Sequence, residues 1–225
     1  MTANDYSALE NVSGATVCAF HETCFRHPDW PRQMPELDPS SLWYWIAVNH
    51  RHNALLWDEE DLARRTRVSD AEIAANKRAI DRYNQARNDA TERVDELLLL
   101  ALGLVDPVTV ATDRPVARVH PGARLNSETA GSMIDRLSIL ALKVRAMRAQ
   151  SERQDVPEEH RIAARARLER LNEQRADLAA CLDELLADCR AGRAWFKVYR
   201  QFKMYNDPRY NPVLVAEAAA TPASR

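Results

Sequence analysis

The distribution of proline is the feature that most constrains the fold of this chain. The 11 prolines lie at residues 28–39, 107–121, 157 and beyond 207, and the long segments between them contain none. Those segments are rich in Ala, Leu, Arg and Glu, which favour helix. Strand signals are nearly absent, with residues 108–111 as the single short β-branched candidate. The sequence therefore predicts an all-α protein.

Capping residues place the beginnings of the first two long helices. Asp38 followed by Pro39 supplies a helix cap and a first-turn proline, which predicts a helix running to about residue 66. Ser69 and Glu72 form the pattern of a capping box, in which each side chain bonds the other residue's backbone N–H. They predict a second helix that ends near Gly103.

The second half of the chain is predicted to contain two further long helices. The third begins at Ser127 or Thr129 and runs to about residue 153. The fourth begins at residues 155–157, where an aspartate and a proline precede two glutamates, and it ends or bends at Gly192.

Two shorter helices and a tail complete the predicted organisation. The short helices are expected over residues 6–27 and 193–204. We assign residues 1–212 to a single helical domain and residues 213–225 to a flexible C-terminal tail.

Apolar residues on the long helices recur at alternating spacings of four and three, and we call each such row an apolar seam. Leu178, Leu182 and Leu185 follow this spacing on the fourth helix, as do Leu137 and Leu140 on the third. Seams of this period pack antiparallel helices into a bundle. We therefore predict a single-domain antiparallel helical bundle of four long helices plus short N- and C-terminal helices.

Charge and glycine content exclude two large classes of binding protein. The 31 Lys and Arg residues against 33 Asp and Glu give a net charge of −2, whereas nucleic-acid binding usually requires a basic excess. The five glycines are widely separated, so no glycine-rich loop exists to cradle a nucleotide phosphate. We expect no nucleic-acid partner.

Apolar runs and cysteine spacing argue against a membrane span and a metal site. The longest apolar run covers residues 97–102, and no signal-peptide pattern is present at the N-terminus, so we expect a cytoplasmic protein. The four cysteines occur as two pairs spaced six and eight residues apart, unlike zinc or redox motifs. Reduced thiols, no metal and no cofactor are expected.

Polar residues interrupt the apolar seams near their middle. Four helices contribute to this break, with the following residues: Asn49, His50, Asn53, Trp57, Glu60, Asp61 and Arg64 on the first; Asn84, Arg87, Asn88 and Thr91 on the second; Ser132, Asp135, Arg136 and Lys143 on the third; Arg175 on the fourth. Burying an unpaired charge is expensive, so these groups must meet each other, water or a ligand.

Two interpretations of this polar region compete. In the first, Glu60 and Asp135 pair with Arg87 and Arg175 in a layer that fixes the register of the helices. In the second, the helices enclose a pocket whose arginines bind an anion. We favour the pocket, because fixing a register usually takes one or two polar residues and four helices contribute here.

Four segments resemble the bacterial domain-of-unknown-function family 4254. They are residues 53–64 (NALLWDEEDLAR), 80–89 (IDRYNQARND), 127–140 (SETAGSMIDRLSIL) and 199–208 (YRQFKMYNDP). The resemblance extends from about residue 15 to 212, with one departure at Ala130, where the family commonly has proline. It implies a helical protein, often encoded near glycosyltransferases of cell-envelope polysaccharide or lipopolysaccharide synthesis, and it implies no established activity.

The family motifs and the interrupted seams select the same candidate site residues. As catalytic candidates we name Glu60 and Asp135, either of which would act as a base or a metal ligand. As ligand-binding candidates we name Asn53, Trp57, Asp61, Arg64, Asn84, Arg87, Asn88, Ser132 and Arg136. Arg64, Arg87 and Arg136 would hold the anion, assisted by free N–H groups at the helix start around Gly131 and Ser132.

Two functional hypotheses follow from this set of residues. The first is a pocket that binds a phosphorylated sugar or nucleotide-sugar in envelope-polysaccharide or lipopolysaccharide synthesis. The alternative is a non-catalytic protein that docks a glycosyltransferase through its aromatic C-terminal segment, with a purely structural polar layer. Whether the protein is an enzyme, and whether it forms a homodimer, are left open by the sequence.

Overall fold

The computed structural model describes residues 12–201 and 207–220, and in this part of the chain it confirms the all-α bundle. The elements are α1 (Gly14–Cys24), α2 (Leu42–Leu62), α3 (Asp70–Ala101), β1 (Arg124–Leu125), α4 (Ala130–Glu152), α5 (Glu158–Arg190), β2 (Ala194–Trp195) and α6 (Pro212–Ala220). No described helix is both long enough and apolar enough to cross a bilayer.

The caps of α2, α3 and α4 show why these helices begin where they do. Ser69 and Glu72 form the predicted capping box of α3. Thr129, one of the two predicted candidates, caps α4 by accepting the Ser132 N–H. The cap predicted for α2 is wrong: Ser41 caps this helix, because Asp38 is engaged in a turn with Ser40.

Helices α1 and α5 differ from their predicted starts. The helix predicted over residues 6–27 is observed from Gly14 to Cys24, and its residues 6–11 lie outside the described residues. Helix α5 begins after Pro157 without a side-chain cap, because Asp155 forms an ion pair with Arg153 instead.

The segment after α5 is extended, so the helix predicted over residues 193–204 is wrong where the structure describes it. Ala194–Trp195 pairs in parallel with Arg124–Leu125, and burial alternates from Ala194 to Val198 with the period of a strand. The strand candidate at residues 108–111 is also wrong, because this stretch forms turns.

The C-terminal residues adopt more regular structure than the tail prediction implies. Pro212–Ala220 forms α6, and none of its residues is buried. The division of the chain at residue 212 stays a prediction.

The long helices form two hairpins, α2 with α3 and α4 with α5. They pack together at the end opposite the hairpin loops, where Phe20 of α1, Trp43, Leu99, Leu137 and Leu182 are buried in the main core. Fewer residues are buried towards the loops: the first buried residue of α3 is Ala79, and in α5 only Ala164 is buried before Leu178. The loop ends of the hairpins are therefore open to solvent along their facing sides.

Gly131 brings the two hairpins into close contact. Its N–H donates to Asp95 Oδ1 at 2.6 Å, and a Cβ at this position would lie 2.7 Å from the carbonyl oxygen of Thr91. Burial raises the pKa of the Asp95 carboxyl to about 7. The N–H groups expected to be free at this helix start are engaged: Asp95 accepts the Gly131 N–H, and Thr129 accepts the Ser132 N–H.

Candidate functional site

A buried polar layer crosses the bundle where the seams are interrupted. We define it as Asn49, His50, Asn53, Thr91, Asp135 and Ser138. Asp135 is its centre: Oδ1 accepts hydrogen bonds from Asn49 Nδ2 and Asn53 Nδ2, each at 2.8 Å. Asn49 Nδ2 also donates to Thr91 Oγ1 at 3.0 Å. These bonds join α2, α3 and α4, so the layer fixes the register between the hairpins.

His50 of the polar layer lies next to a second buried histidine, His21 of α1. His50 Nδ1 is 2.8 Å from Ser138 Oγ, and the ring centroids of His50 and His21 are 4.4 Å apart. Neither ring nitrogen of His21 has a hydrogen-bond partner among the described residues. Burial, with a smaller contribution from Arg175, lowers the pKa of His21 to about 3, and burial next to His21 holds the pKa of His50 well below its usual value. Both rings are therefore neutral at pH 7.

Neutral buried histidines predict a loss of stability in mild acid. The unfolded chain takes up a proton on each ring below its ordinary pKa of 6.5 and the folded chain does not, so stability falls as the pH drops from 6.5 towards 3. We expect the His21→Phe substitution to remove about 2 kcal/mol of the loss between pH 7 and pH 5, measured by urea unfolding. The exposed His160→Gln variant should keep the wild-type dependence; an unchanged pH dependence for His21→Phe would contradict burial of a neutral ring.

On the side of the polar layer that faces the hairpin loops, a solvent-open cleft of about 340 Å³ lies between the hairpins. We call it the first cleft. Seven of the 11 predicted site residues line it: Asn53, Trp57, Glu60, Asp61, Arg64, Asn84 and Arg87. Leu56, Ile139 and Leu142 complete the lining. The family motifs on α2 and α3 therefore converge on one concave surface.

Arg87 is the charged group held at the base of the first cleft. Its side chain is 25% exposed, its Nη2 donates to Asn88 Oδ1 at 2.9 Å, and its Nε lies 3.9 Å from Asp135 Oδ1. That separation is an ion pair and not a hydrogen bond, and the buried Nε has no acceptor among the described residues. Because Nη2 makes the one hydrogen bond of this guanidinium within the described residues, its terminal nitrogens keep donor capacity for a bound group.

The mouth of the first cleft has a different arrangement of charges. Arg64 and Glu60 form an ion pair at 2.9 Å, and the Glu60 side chain is 48% exposed. The side chains of Asp61 and Asn84 have no hydrogen-bond partner within the described residues. Of the ion pairs expected in the register-fixing layer, Arg87 with Asp135 is present, whereas Glu60 pairs with Arg64 and Arg175 pairs with Glu22 of α1 at 2.7 Å.

Four of the predicted site residues lie outside the lining of the first cleft. Asn88 and Asp135 lie behind it, where they contact Arg87. Ser132 is bonded to Thr129 at the start of α4. Arg136 pairs with Glu128 and lines a separate groove of about 920 Å³ between α4 and α5. The structure thus brings Asn88 and Asp135 to the site, but not Ser132 or Arg136.

Sequence reasoning missed Ser138 in the layer and Arg200 at the C-terminal end of α3. Ser138 follows Asp135 by one helical turn, a spacing that could have revealed it. Arg200 binds Glu92 at 3.0 Å and Glu96 at 2.6 Å and so fixes the C-terminal segment to α3. Nothing local in the sequence specifies that long-range pairing.

The fold and the cleft define a helical bundle with a polar cleft between two hairpins. Residues 43–198 match the family model described as Protein of unknown function (DUF4254), and the chain therefore belongs to this family. Neither a curated protein nor a solved structure matches the chain.

Proposed function

We propose that the first cleft binds a phosphorylated sugar or the sugar-phosphate part of a nucleotide-sugar. An indole face suits the C–H face of a sugar ring, amides and carboxylates bind hydroxyl groups, and a guanidinium binds phosphate. Trp57, Asn84, Asp61 and Arg87 supply these groups in one cleft. The observation that carries the proposal is the partly exposed Arg87 side chain in the cleft lining, which has one side-chain hydrogen bond, to Asn88, and whose ion-pair partner Asp135 is 3.9 Å away.

The polar layer gives the site a fixed base. Asn53 lines the cleft and at the same time donates to Asp135, which also faces Arg87. Rigid support of this kind lowers the entropic cost of binding. We therefore assign Asp135 a positioning role beneath the ligand. A catalytic role for Glu60 or Asp135, as base or metal ligand, stays a prediction.

The proposal also covers the kind of synthesis in which the ligand would be used. The resemblance implies a connection with cell-envelope polysaccharide or lipopolysaccharide synthesis, and sugars linked to phosphate are the activated building blocks of such polymers. We propose that the protein binds one of these building blocks.

Replacing Arg87 tests the proposal. We expect Arg87→Gln to weaken the binding of glucose 1-phosphate about tenfold or more, because a charge-assisted hydrogen bond contributes about 1.5–3 kcal/mol. Isothermal titration calorimetry measures the effect, and added salt should weaken wild-type binding.

The matched control is Arg78→Gln, an exposed arginine on the same helix that does not line the cleft. It should bind glucose 1-phosphate as the wild type does. If all three proteins bound glucose 1-phosphate with equal affinity, Arg87 would not be part of the site. If none of them bound it, the proposal would be refuted.

The self-contained bonding of the polar layer is the observation that favours the alternative, a non-catalytic protein that docks a glycosyltransferase. In its proposed docking segment Phe196 is buried and Tyr199 is exposed. Residues 202–206 lie outside the described residues. Binding of a glycosyltransferase that is lost in Tyr199→Ala, with no sugar phosphate bound, would favour this alternative.

A further inference from the structure

A second cleft adjoins the first one across Trp57 and Asp61. It measures about 550 Å³ and lies between α2, α4 and α5, on the loop side of the bundle. Trp57 and Asp61 line both clefts, so the two clefts meet at these side chains. A ligand that occupies both must pass Trp57.

The second cleft combines an apolar floor with a cationic rim. Trp57, Ala146, Met147 and Leu171 form the apolar part. The rim carries Lys143, Arg167 and Arg170 against the one carboxylate of Asp61.

The cations of this rim are largely available to a ligand. Lys143 and Arg167 form no ion pair within the described residues, and Arg170 is 3.2 Å from the exposed Glu173. In the first cleft, by contrast, the positive charges of Arg64 and Arg87 are matched by the carboxylates of Glu60 and Asp61. The larger excess of positive charge thus lies in the second cleft, beside an apolar surface.

This inference rests on the proposed function and specifies its ligand class. We infer that the second cleft binds the nucleoside phosphate part of a nucleotide-sugar. The base lies on the floor formed by Trp57, Met147 and Leu171, and the phosphate next to the nucleoside faces Lys143 and Arg167. The sugar-linked phosphate lies past Trp57, at Arg87 of the first cleft. A flat aromatic group joined to a dianion matches an apolar floor with a cationic rim. The sugar then extends past Trp57 into the first cleft, where amides and carboxylates meet its hydroxyl groups.

The test compares UDP-glucose, UDP and glucose 1-phosphate as calorimetric probes, with GDP-mannose and GDP as a second base. We expect one of the two bases to be preferred. The nucleotide-sugar that carries this base should bind at least tenfold more tightly than glucose 1-phosphate. Arg167→Gln should weaken the binding of the preferred nucleoside diphosphate about five- to tenfold and leave glucose 1-phosphate unchanged. Arg148→Gln, an exposed arginine on α4 outside both clefts, is the matched control and should behave as the wild type.

Other outcomes separate this inference from the proposed function. If Arg87→Gln weakens glucose 1-phosphate while Arg167→Gln changes no affinity, the first cleft is a site and the second-cleft inference is overturned. Geranyl phosphate joins an apolar chain, not a nucleoside, to a phosphate. Binding of this probe without binding of any nucleotide would overturn the assignment of a nucleoside. Failure of every probe to bind would refute the proposed function and this inference with it.

Discussion

Replacing Gly131 by alanine is expected to destabilise the protein by about 3 kcal/mol or more. In most helices this change is favourable, because alanine restricts the unfolded chain and has the higher helix propensity. Here the added Cβ would lie 2.7 Å from the Thr91 carbonyl oxygen and 2.8 Å from Asp95 Oδ1. Helix α4 must then move away from α3, which strains the hydrogen bond from Gly131 N–H to Asp95.

The same substitution at Gly122 separates this clash from backbone strain. Gly122 has a φ of +83° and open space around its Cβ position, so Gly122→Ala should cost only about 1 kcal/mol. Urea unfolding of the two variants measures the difference. Equal small losses would show that the hairpins do not approach each other as closely as the structure requires.

Removing the carboxylate of Asp135 is the second large expected effect. Asp135→Ala removes the charged acceptor that the buried amides of Asn49 and Asn53 share, and leaves them only the neutral acceptors Thr91, Ser138 and Asn49. A hydrogen bond to a charged group contributes about 1.5–3 kcal/mol and two are lost, so we expect a loss of about 3 kcal/mol. Arg87 also loses its nearest carboxylate, which lies 3.9 Å away. Urea unfolding at pH 7 measures the loss.

Two further substitutions make this measurement interpretable. Asp135→Asn keeps one carbonyl acceptor and should lose about half as much stability as Asp135→Ala. The exposed Asp177→Ala, on α5, should stay within about 0.5 kcal/mol of the wild type. A loss at Asp135 no larger than that at Asp177 would mean that the polar layer is solvated.

The helices could be predicted because their signals are local. Ser69 and Glu72 lie three residues apart, and their capping box depends on no distant contact. The extended stretch after Gly192 was missed, although Ala194, Phe196 and Val198 alternate with exposed neighbours. Its pairing with Arg124–Leu125 is a long-range contact that helix propensities do not report.

Most residues of the candidate site could be predicted from the sequence, but the limits of the site could not. Successive helical residues point about 100° apart, so Asp135 faces α2 while Arg136 faces the groove beside α5. The sequence places both on one segment, and only the packing of α4 between two neighbours separates their roles. The pairing of Arg64 with Glu60 likewise depends on rotamers at the open mouth of the cleft.

The claim that the first cleft is a ligand site is tested most directly by a crystal structure of the protein with UDP-glucose. We predict continuous ligand density across Trp57, with the hexose within hydrogen-bond distance of Asn84 and a phosphate oxygen within that distance of a terminal guanidinium nitrogen of Arg87. Ligand density confined to another surface, or a first cleft with no ligand density at a UDP-glucose concentration that saturates the protein in solution, would contradict the account.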